Sequence, residues 1–96
     1  EGLMDAIYVK EVRFRESLKS ASIQEIRGTG LMLAAILPDA LHTAAIVDRC
    51  REKGVIFFLL LFEKRAIRIT PPYTVTLEEI DHACHILKET IAEFYP

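Results

Sequence analysis

The chain has 96 residues, of which 51% are hydrophobic and 27% charged, and its formal net charge is −2 at pH 7. This composition is typical of one globular domain, and it excludes a disordered chain and a chain that binds nucleic acid or an anionic membrane through positive charge. The longest apolar run, at residues 55–62, is far shorter than the stretch of about 20 residues that a membrane-spanning helix needs. We therefore expect a domain with neither nucleic-acid nor membrane partners.

The first predicted element is an amphipathic helix over residues 2–19. Glu11 stands four residues before Arg15, a spacing that favours an ion pair on one helix face. The predicted buried stripe consists of Leu3, Ile7, Phe14 and Leu18, widened by Met4, Tyr8 and Val12. Because the sequence opens on Glu1 within this helical pattern, without an initiator methionine, we expect it to be a piece of a longer protein.

Two strands are predicted next, at residues 22–27 and 31–37, on either side of Gly28-Thr29-Gly30. Two glycines permit backbone angles that are closed to other residues, so a hairpin or a sharp bend is expected. A glycine-rich turn can also bind phosphate through its N–H groups when a helix follows it. Here a strand follows, which favours a structural turn over a phosphate site.

A second helix is predicted between Pro38, which ends the preceding strand, and Gly54. Asp39 is a good N-cap, and Gly54 is the expected left-handed residue after the helix C-terminus. The predicted buried face consists of Ala40, Ala44, Val47 and Cys50.

The last part of the chain predicts a second hairpin and a third helix. Residues 55–62 and Ala66–Ile69 read as strands joined by the charged turn Glu63-Lys64-Arg65. Thr76 and Glu79 then make a capping box, with Val75 and Ile80 as a hydrophobic staple around it. The predicted buried stripe of this helix is Leu77, Ile80, Cys84, Leu87 and Ile91.

The element order α-β-β-α-β-β-α predicts the fold class. Strands in pairs flanked by helices favour an α+β fold, in which helices pack on a small, mostly antiparallel sheet. Residues 1–96 are expected to form a single domain.

Few side chains suggest chemistry, and no catalytic residue is predicted. Asp81, His82 and His85 lie within about one turn of the last helix and could bind a metal, but a solvated helix face explains them equally and is favoured. His42 is expected to be a surface residue. Cys50 and Cys84 lie on apolar helix faces and are predicted to be free buried thiols of a cytoplasmic protein.

Arg68 is unusual because it interrupts the apolar strand Ala66–Ile69 shortly before Pro71 and Pro72. Two consecutive prolines cannot extend a strand ladder, and they hold φ near about −65°, so they end the strand and set its exit direction. A guanidinium held at such a strand end could bind a carboxylate through two parallel hydrogen bonds. The alternative is that Arg68 forms an ion pair within the domain.

Three motifs occur in order: Arg27-Gly28-Thr29-Gly30-Leu31-Met32, Arg51-Glu52-Lys53-Gly54, and Ile67-Arg68-Ile69-Thr70-Pro71-Pro72 before an acidic helix start. Together they resemble the C-terminal part of the class III pyridoxal-phosphate-dependent aminotransferases, the group that includes the acetylornithine and ornithine enzymes. The resemblance covers about residues 20–95. One departure is the apolar stretch 57–62, where many members are more polar, and it leaves open whether this stretch lines a substrate pocket or packs on another domain.

The resemblance implies a fold type I small domain that packs on a large cofactor-binding domain of the same chain. The family's R-x-x-P-P arginine reaches the active site and binds a substrate carboxylate or pairs with a glutamate there, which assigns substrate binding to Arg68. The lysine that holds pyridoxal phosphate lies in the family's large domain, so this chain alone is expected to bind no cofactor and to be inactive.

The parent enzyme is expected to act on amino acids and 2-oxo acids and to be a homodimer. The rival hypothesis is a non-catalytic α+β module of a larger cytoplasmic protein, which senses a ligand or binds a protein partner.

Overall fold

The computed structural model describes residues 2–20 and 22–96. In this part of the chain the elements follow the predicted order: α1 Leu3–Ser17, β1 Glu25–Thr29, β2 Met32–Ile36, α2 Ala40–Glu52, β3 Phe58–Leu59, β4 Ala66–Ile69 and α3 Leu77–Phe94. The strands form an antiparallel sheet in the order β1-β2-β4-β3. The predicted α+β fold with an antiparallel sheet is confirmed.

The core lies on one face of this sheet. Leu33 and Ala35 of β2 and Ile67 and Ile69 of β4 are buried, and they join one apolar cluster with buried side chains of α2 and α3. Because successive side chains of a strand point to opposite faces, the intervening Arg68 lies on the other face of the sheet.

Helix α3 has the caps and the buried face that its sequence predicts. The Glu79 N–H donates to Thr76 Oγ1 at 3.0 Å and the Thr76 N–H to Glu79 Oε1 at 2.8 Å, which completes the capping box. The predicted stripe is buried except for Leu77, which is partly exposed. No helix among the described residues is long and apolar enough to cross a membrane.

Helix α2 also has its predicted ends, but its buried face differs from the prediction. Gly54 has φ 96°, its N–H donates to the Arg51 carbonyl at 3.0 Å, and the Val55 N–H donates to the Cys50 carbonyl at 2.9 Å, the Schellman pattern. The residues that α2 buries are Thr43, Ile46, Val47 and Cys50. The predicted Ala40 is exposed and Ala44 is only partly buried, because burying the larger Ile46 removes more apolar surface from water than burying an alanine does.

The first hairpin turns at Gly30-Leu31, since Thr29 pairs with Met32. Gly30 has φ 62° while Leu31 has a negative φ, as in a type II′ turn with glycine at its first central position. Gly28 lies in β1 at φ 102°, and a Cβ there would overlap the backbone carbonyl of Met32. The hairpin itself therefore needs both glycines, as the structural interpretation predicted.

The predicted strand at residues 55–62 is wrong in length, because only Phe58–Leu59 forms β3. At its beginning, the Val55 N–H is used by the C-terminal cap of α2 and is unavailable to a sheet. At its end, the chain leaves the sheet after Leu60, and Leu61 and Phe62 lie 71% and 96% exposed. An unbroken apolar run did not become a long strand because its two ends serve a helix cap and a surface loop.

The predicted buried stripe of α1 is only half correct. Phe14 in the helix and Leu18 at its C-terminal cap are buried, and α1 packs against α3. Towards the N-terminus Ile7 is partly buried, whereas the other predicted members of the stripe are exposed: Leu3, Met4, Tyr8 and Val12. The helical period was correct, but α3 covers only the C-terminal part of the stripe.

Glu11 and Arg15 attach α1 to the glycine hairpin. Glu11 Oε1 accepts the Gly30 N–H at 2.7 Å, and Glu11 Oε2 lies 3.0 Å from Arg15 Nε. Arg15 in turn donates to the carbonyl oxygens of Ile26 at 2.9 Å and Gly28 at 2.5 Å. The anion held at this glycine turn is thus the protein's own carboxylate, and the Gly30 N–H followed by Arg15 lowers the pKa of Glu11 below its usual value near 4.5.

We expect Glu11→Gln to lower the melting temperature at pH 7 by about 4–8 °C, the equivalent of about 1 kcal/mol, because a charged hydrogen bond and an ion pair are lost. A depressed carboxylate pKa stabilises the fold above pH 4.5, and this contribution disappears as the pH falls through the folded-state value. The gap between the two proteins should therefore close in acid. Thermal melts from pH 7 to pH 3 test this.

Glu16→Gln is the matched control, since Glu16 lies exposed on the same helix and its one ion pair among the described residues is with Lys19, at 3.3 Å. It should melt like the unsubstituted chain. Equal melting temperatures for Glu11→Gln and the unsubstituted chain at pH 7 would show that the hairpin holds α1 by other contacts.

We expect the 96-residue chain by itself to self-associate at high concentration and to bind a hydrophobic dye, because Ile56, Leu61 and Phe62 are exposed close together in the chain. The double substitution Leu61→Ser with Phe62→Ser should weaken both effects, whereas Leu41→Ser, which removes an equally exposed leucine from α2, should not. Sedimentation velocity and dye fluorescence measure this. A monomer that binds no dye would contradict the expectation.

Candidate functional site

Arg68 lies in the predicted strand Ala66–Ile69, and the structure makes this strand an inner one of the sheet. Strand β4 pairs with β2 on one side and β3 on the other, and it ends at Ile69, directly before Thr70, Pro71 and Pro72. The Val75 N–H donates to the Pro72 carbonyl at 3.0 Å, so the chain turns at once towards α3. The backbone at Arg68 is therefore held by neighbouring strands on both sides.

A row of paired residues crosses the outer face of the sheet at Arg68. Arg27 pairs with Ala34, Ala34 with Arg68, and Arg68 with Phe58. The Arg68 guanidinium carbon lies 5.1 Å from the centroid of the Phe58 ring, within the range of about 6 Å for a cation–π contact. Ala34, which has a small side chain, leaves room on the other side of Arg68.

Arg68 differs from the other arginines in its partners. The other arginines all form ion pairs with carboxylates: Arg13 with Asp81, Arg15 with Glu11, Arg27 with Glu25, Arg49 with Glu52 and Glu93, Arg51 with Asp48, and Arg65 with Glu63. Within residues 2–20 and 22–96, Arg68 is the arginine that has no carboxylate partner. Its side chain is exposed, with its hydrogen-bond donors available to a ligand.

Two clefts meet at Arg68. One, of about 310 Å³, is mostly apolar, and its lining includes Phe58, Arg68, Pro71 and Ile80. The other, of about 230 Å³, is smaller and is lined by Arg68 together with residues of the hairpin and Leu60. A guanidinium between two clefts with apolar walls can bind an anionic group while an apolar part of the same ligand contacts the walls.

Helix α3 does not bring its histidines into a metal site. Asp81 forms an ion pair with Arg13 at 2.9 Å, and His82 and His85 are exposed. The described residues contain no group of three or more His, Cys, Asp or Glu side chains positioned to bind a metal ion.

His42 forms part of a polar cluster that the sequence did not predict. Asp39 accepts hydrogen bonds from the His42 N–H at 2.8 Å and the Tyr95 hydroxyl at 2.6 Å, and it contacts His42 Nδ1 at 2.7 Å. The His42 N–H, followed by Tyr95, lowers the pKa of Asp39 to about 2, and burial followed by the Asp39 hydrogen bond raises the pKa of Tyr95 to about 12. This cluster joins the start of α2 to the end of α3, two helix ends that are far apart in sequence. Its role is structural.

Neither thiol is suited to act as a nucleophile. Cys50 and Cys84 are free and buried, as predicted. Burial raises the pKa of Cys84 to about 12 and also raises that of Cys50, so both stay protonated at neutral pH.

Lys53 is occupied by structural contacts. Its amine donates to Glu93 at 2.6 Å, to the Thr90 hydroxyl at 2.9 Å and to Glu89 at 3.2 Å, and only 14% of the side chain is exposed. These contacts with α3 raise the pKa of Lys53 above its usual value, with Glu93 as the main cause. Such a lysine is a poor candidate for a covalent bond to a cofactor, which requires a deprotonated amine.

Comparison with known proteins agrees with this architecture. The family model for aminotransferase class-III matches residues 1–91. An ornithine aminotransferase of Bordetella pertussis is 33% identical over 99 residues, which cover 100% of this chain and 24% of that protein. An acetylornithine aminotransferase of Caldanaerobacter subterraneus subsp. tengcongensis is 33% identical over 98 residues, which cover 97% of this chain and 24% of that protein.

A solved structure has the same fold. The ornithine aminotransferase of Toxoplasma gondii ME49 superposes with a TM-score of 0.78 at 30% identity, over 97% of this chain and 24% of that one. The chain spans about a quarter of the length of these relatives. By its sequence and by its fold, this chain belongs to the class-III aminotransferase family.

Proposed function

We propose that residues 1–96 are the C-terminal small domain of a pyridoxal-phosphate-dependent aminotransferase of the ornithine and acetylornithine type. In this domain Arg68 forms the wall of the active site that binds a substrate carboxylate. The observation that carries this proposal is that Arg68, alone among the arginines, has no carboxylate partner within the described residues, although it stands on a rigid inner strand.

The position of Arg68 suits a carboxylate ligand for two physical reasons. A guanidinium presents its donors in a planar fork that matches both oxygens of a carboxylate. An inner strand followed by Pro71 and Pro72 keeps the backbone in place, so little conformational freedom is lost when a ligand binds. The alternative of an internal ion pair has no partner for Arg68 in the part of the chain that the structure describes.

Pyridoxal phosphate, when bound to the parent enzyme, supplies the electron sink for transamination. Two lysines of this chain are engaged by other contacts and do not fit the role of its anchor. Lys53 is held by Glu89, Thr90 and Glu93, and Lys10 donates to the Tyr73 carbonyl at 2.6 Å. We infer that the anchoring lysine belongs to a large domain elsewhere in the parent chain.

The same large domain is the partner that we assign to the exposed apolar side chains of residues 56–62. Contact with it would remove Ile56, Leu61 and Phe62 from water.

The amino acid and 2-oxo acid substrates, the homodimeric parent and the cytoplasmic location stay predictions. The rival hypothesis of a non-catalytic module requires the 96 residues to act without further sequence, and membership of the aminotransferase family favours the enzyme.

We expect Arg68→Ala in the complete enzyme to lower kcat/KM at least about 30-fold for one half-reaction, because a desolvated charge-assisted contact is worth roughly 2–5 kcal/mol. Arg68→Lys should recover little, since an ammonium keeps the charge but loses the planar fork. Steady-state kinetics of both half-reactions, with L-ornithine and N-acetyl-L-ornithine as amino donors, measure this beside a thermal melt of each variant.

Arg51→Ala is the matched control, because Arg51 is an exposed arginine on α2 whose partner is Asp48 at 2.8 Å. It should leave both the kinetics and the melting temperature nearly unchanged. Near-normal kinetics for Arg68→Ala together with a large fall in melting temperature would mean that Arg68 is structural, and the proposal would be wrong.

We expect the isolated 96-residue chain mixed with pyridoxal phosphate to form no stoichiometric adduct that borohydride can trap, since Lys53 is already engaged by α3. Mass spectrometry after reduction measures this. A single adduct at Lys53 or Lys64 would place the cofactor anchor within this chain and contradict the assignment to a large domain.

A further inference from the structure

Phe58 stands directly opposite Arg68 at the edge of the sheet. The two residues are register partners of β3 and β4, and directly opposed side chains share one face of a sheet. The preceding Phe57 is buried in the core, whereas Phe58 on the other face is 50% exposed. The first half of the apolar stretch at residues 57–62 is therefore divided between the core and the face that carries Arg68.

The Phe58 ring is the one aromatic contact of Arg68 among the described residues. The guanidinium carbon lies 5.1 Å from the ring centroid, and both side chains line the larger of the two clefts. A cation over an aromatic face is attracted by the negative potential of that face. Unlike an ion pair, this contact places no carboxylate on the N–H donors of the guanidinium.

The contact with Phe58 restricts the Arg68 side chain before a ligand binds. An exposed arginine samples many rotamers, and binding must suppress them, so a contact that already restricts the side chain reduces that cost. The backbone of Arg68 is set by its strand neighbours, and within residues 2–20 and 22–96 the Phe58 ring is the aromatic contact at the end of its side chain.

We propose that Phe58 is a positioning residue, which holds the Arg68 guanidinium in the orientation that receives the substrate carboxylate. This inference rests on the function proposed for Arg68. It adds Phe58 as a neighbouring residue that helps to determine which carboxylates bind. Phe58 also provides an apolar wall beside the guanidinium, so the cleft favours a carboxylate attached to an apolar chain.

The test uses Phe58→Leu, which keeps apolar bulk but removes the aromatic face, and Phe58→Tyr, which keeps the face. Both are made in the complete enzyme with Arg68 and again with Arg68→Ala. The measurements are KM and kcat for the amino donor, the inhibition constant of valerate as an unreactive carboxylate probe, and the melting temperature.

Phe58→Leu should raise both KM and the valerate inhibition constant about 3- to 10-fold, the range expected for a lost cation–π contact, while kcat changes little. Phe58→Tyr should behave like the unsubstituted enzyme. With Arg68→Ala in place, Phe58→Leu should have no further effect, because its action passes through Arg68. Leu41→Ala, which shortens an exposed apolar side chain of α2 that lines neither cleft, is the control and should leave both constants unchanged.

Unchanged constants in Phe58→Leu, or an equal loss with and without Arg68, would overturn the positioning role. If Arg68→Ala is impaired but Phe58→Leu is normal, only this inference fails. If Arg68→Ala is itself normal, or valerate does not compete in the unsubstituted enzyme, the carboxylate site proposed for Arg68 fails as well.

Discussion

Strand β4 can bury Ile67 and Ile69 beneath the helices only by turning Arg68 to the opposite face of the sheet. The two isoleucines belong to the core that holds the sheet to α2 and α3, and their burial is worth about 1.5–3 kcal/mol each. A shift of register by one residue would place the guanidinium in that core without a partner, which is far more costly. The position of Arg68 is thus a consequence of how the core is packed.

Charged side chains around this core mainly connect elements to one another. Lys53 bridges α2 to α3, Glu11 and Arg15 attach α1 to the first hairpin, and Asp39 joins the start of α2 to the end of α3 through Tyr95. Exposed pairs contribute little each, about 0–1 kcal/mol. The arginines nevertheless differ in their partners. Arg13 and Arg15, which connect elements, pair with carboxylates, whereas Arg68 near the end of β4 contacts an aromatic ring.

The apolar side chains of the chain also fall into two groups, one buried and one exposed. Ile80 of α3 and Ile67 of β4 are buried within the domain, whereas Leu3 and Met4 of α1 and residues 61–62 after β3 are exposed. Transfer of such side chains from water favours association with another surface. Since the chain spans about a quarter of its relatives' length, the remainder of a longer enzyme is the partner that we propose.

Local sequence signals determined the order of the elements, the capping box of α3, the Schellman end of α2, the limits of β4 and the burial of both cysteines. Each of these depends on residues within about one turn or one strand, or on a period that a helix or strand repeats. The motif around Arg68 likewise indicates the family from the sequence alone. Only the tertiary structure decided where residues 55–62 join and leave the sheet. The cap of α2 takes the Val55 N–H, and the chain departs after Leu60, whose N–H donates to the Ala66 carbonyl at 3.3 Å. Only the tertiary structure, too, decided that Phe58 faces Arg68, since the register of a hairpin depends on the length of its loop, and that length could not be read from an unbroken apolar run.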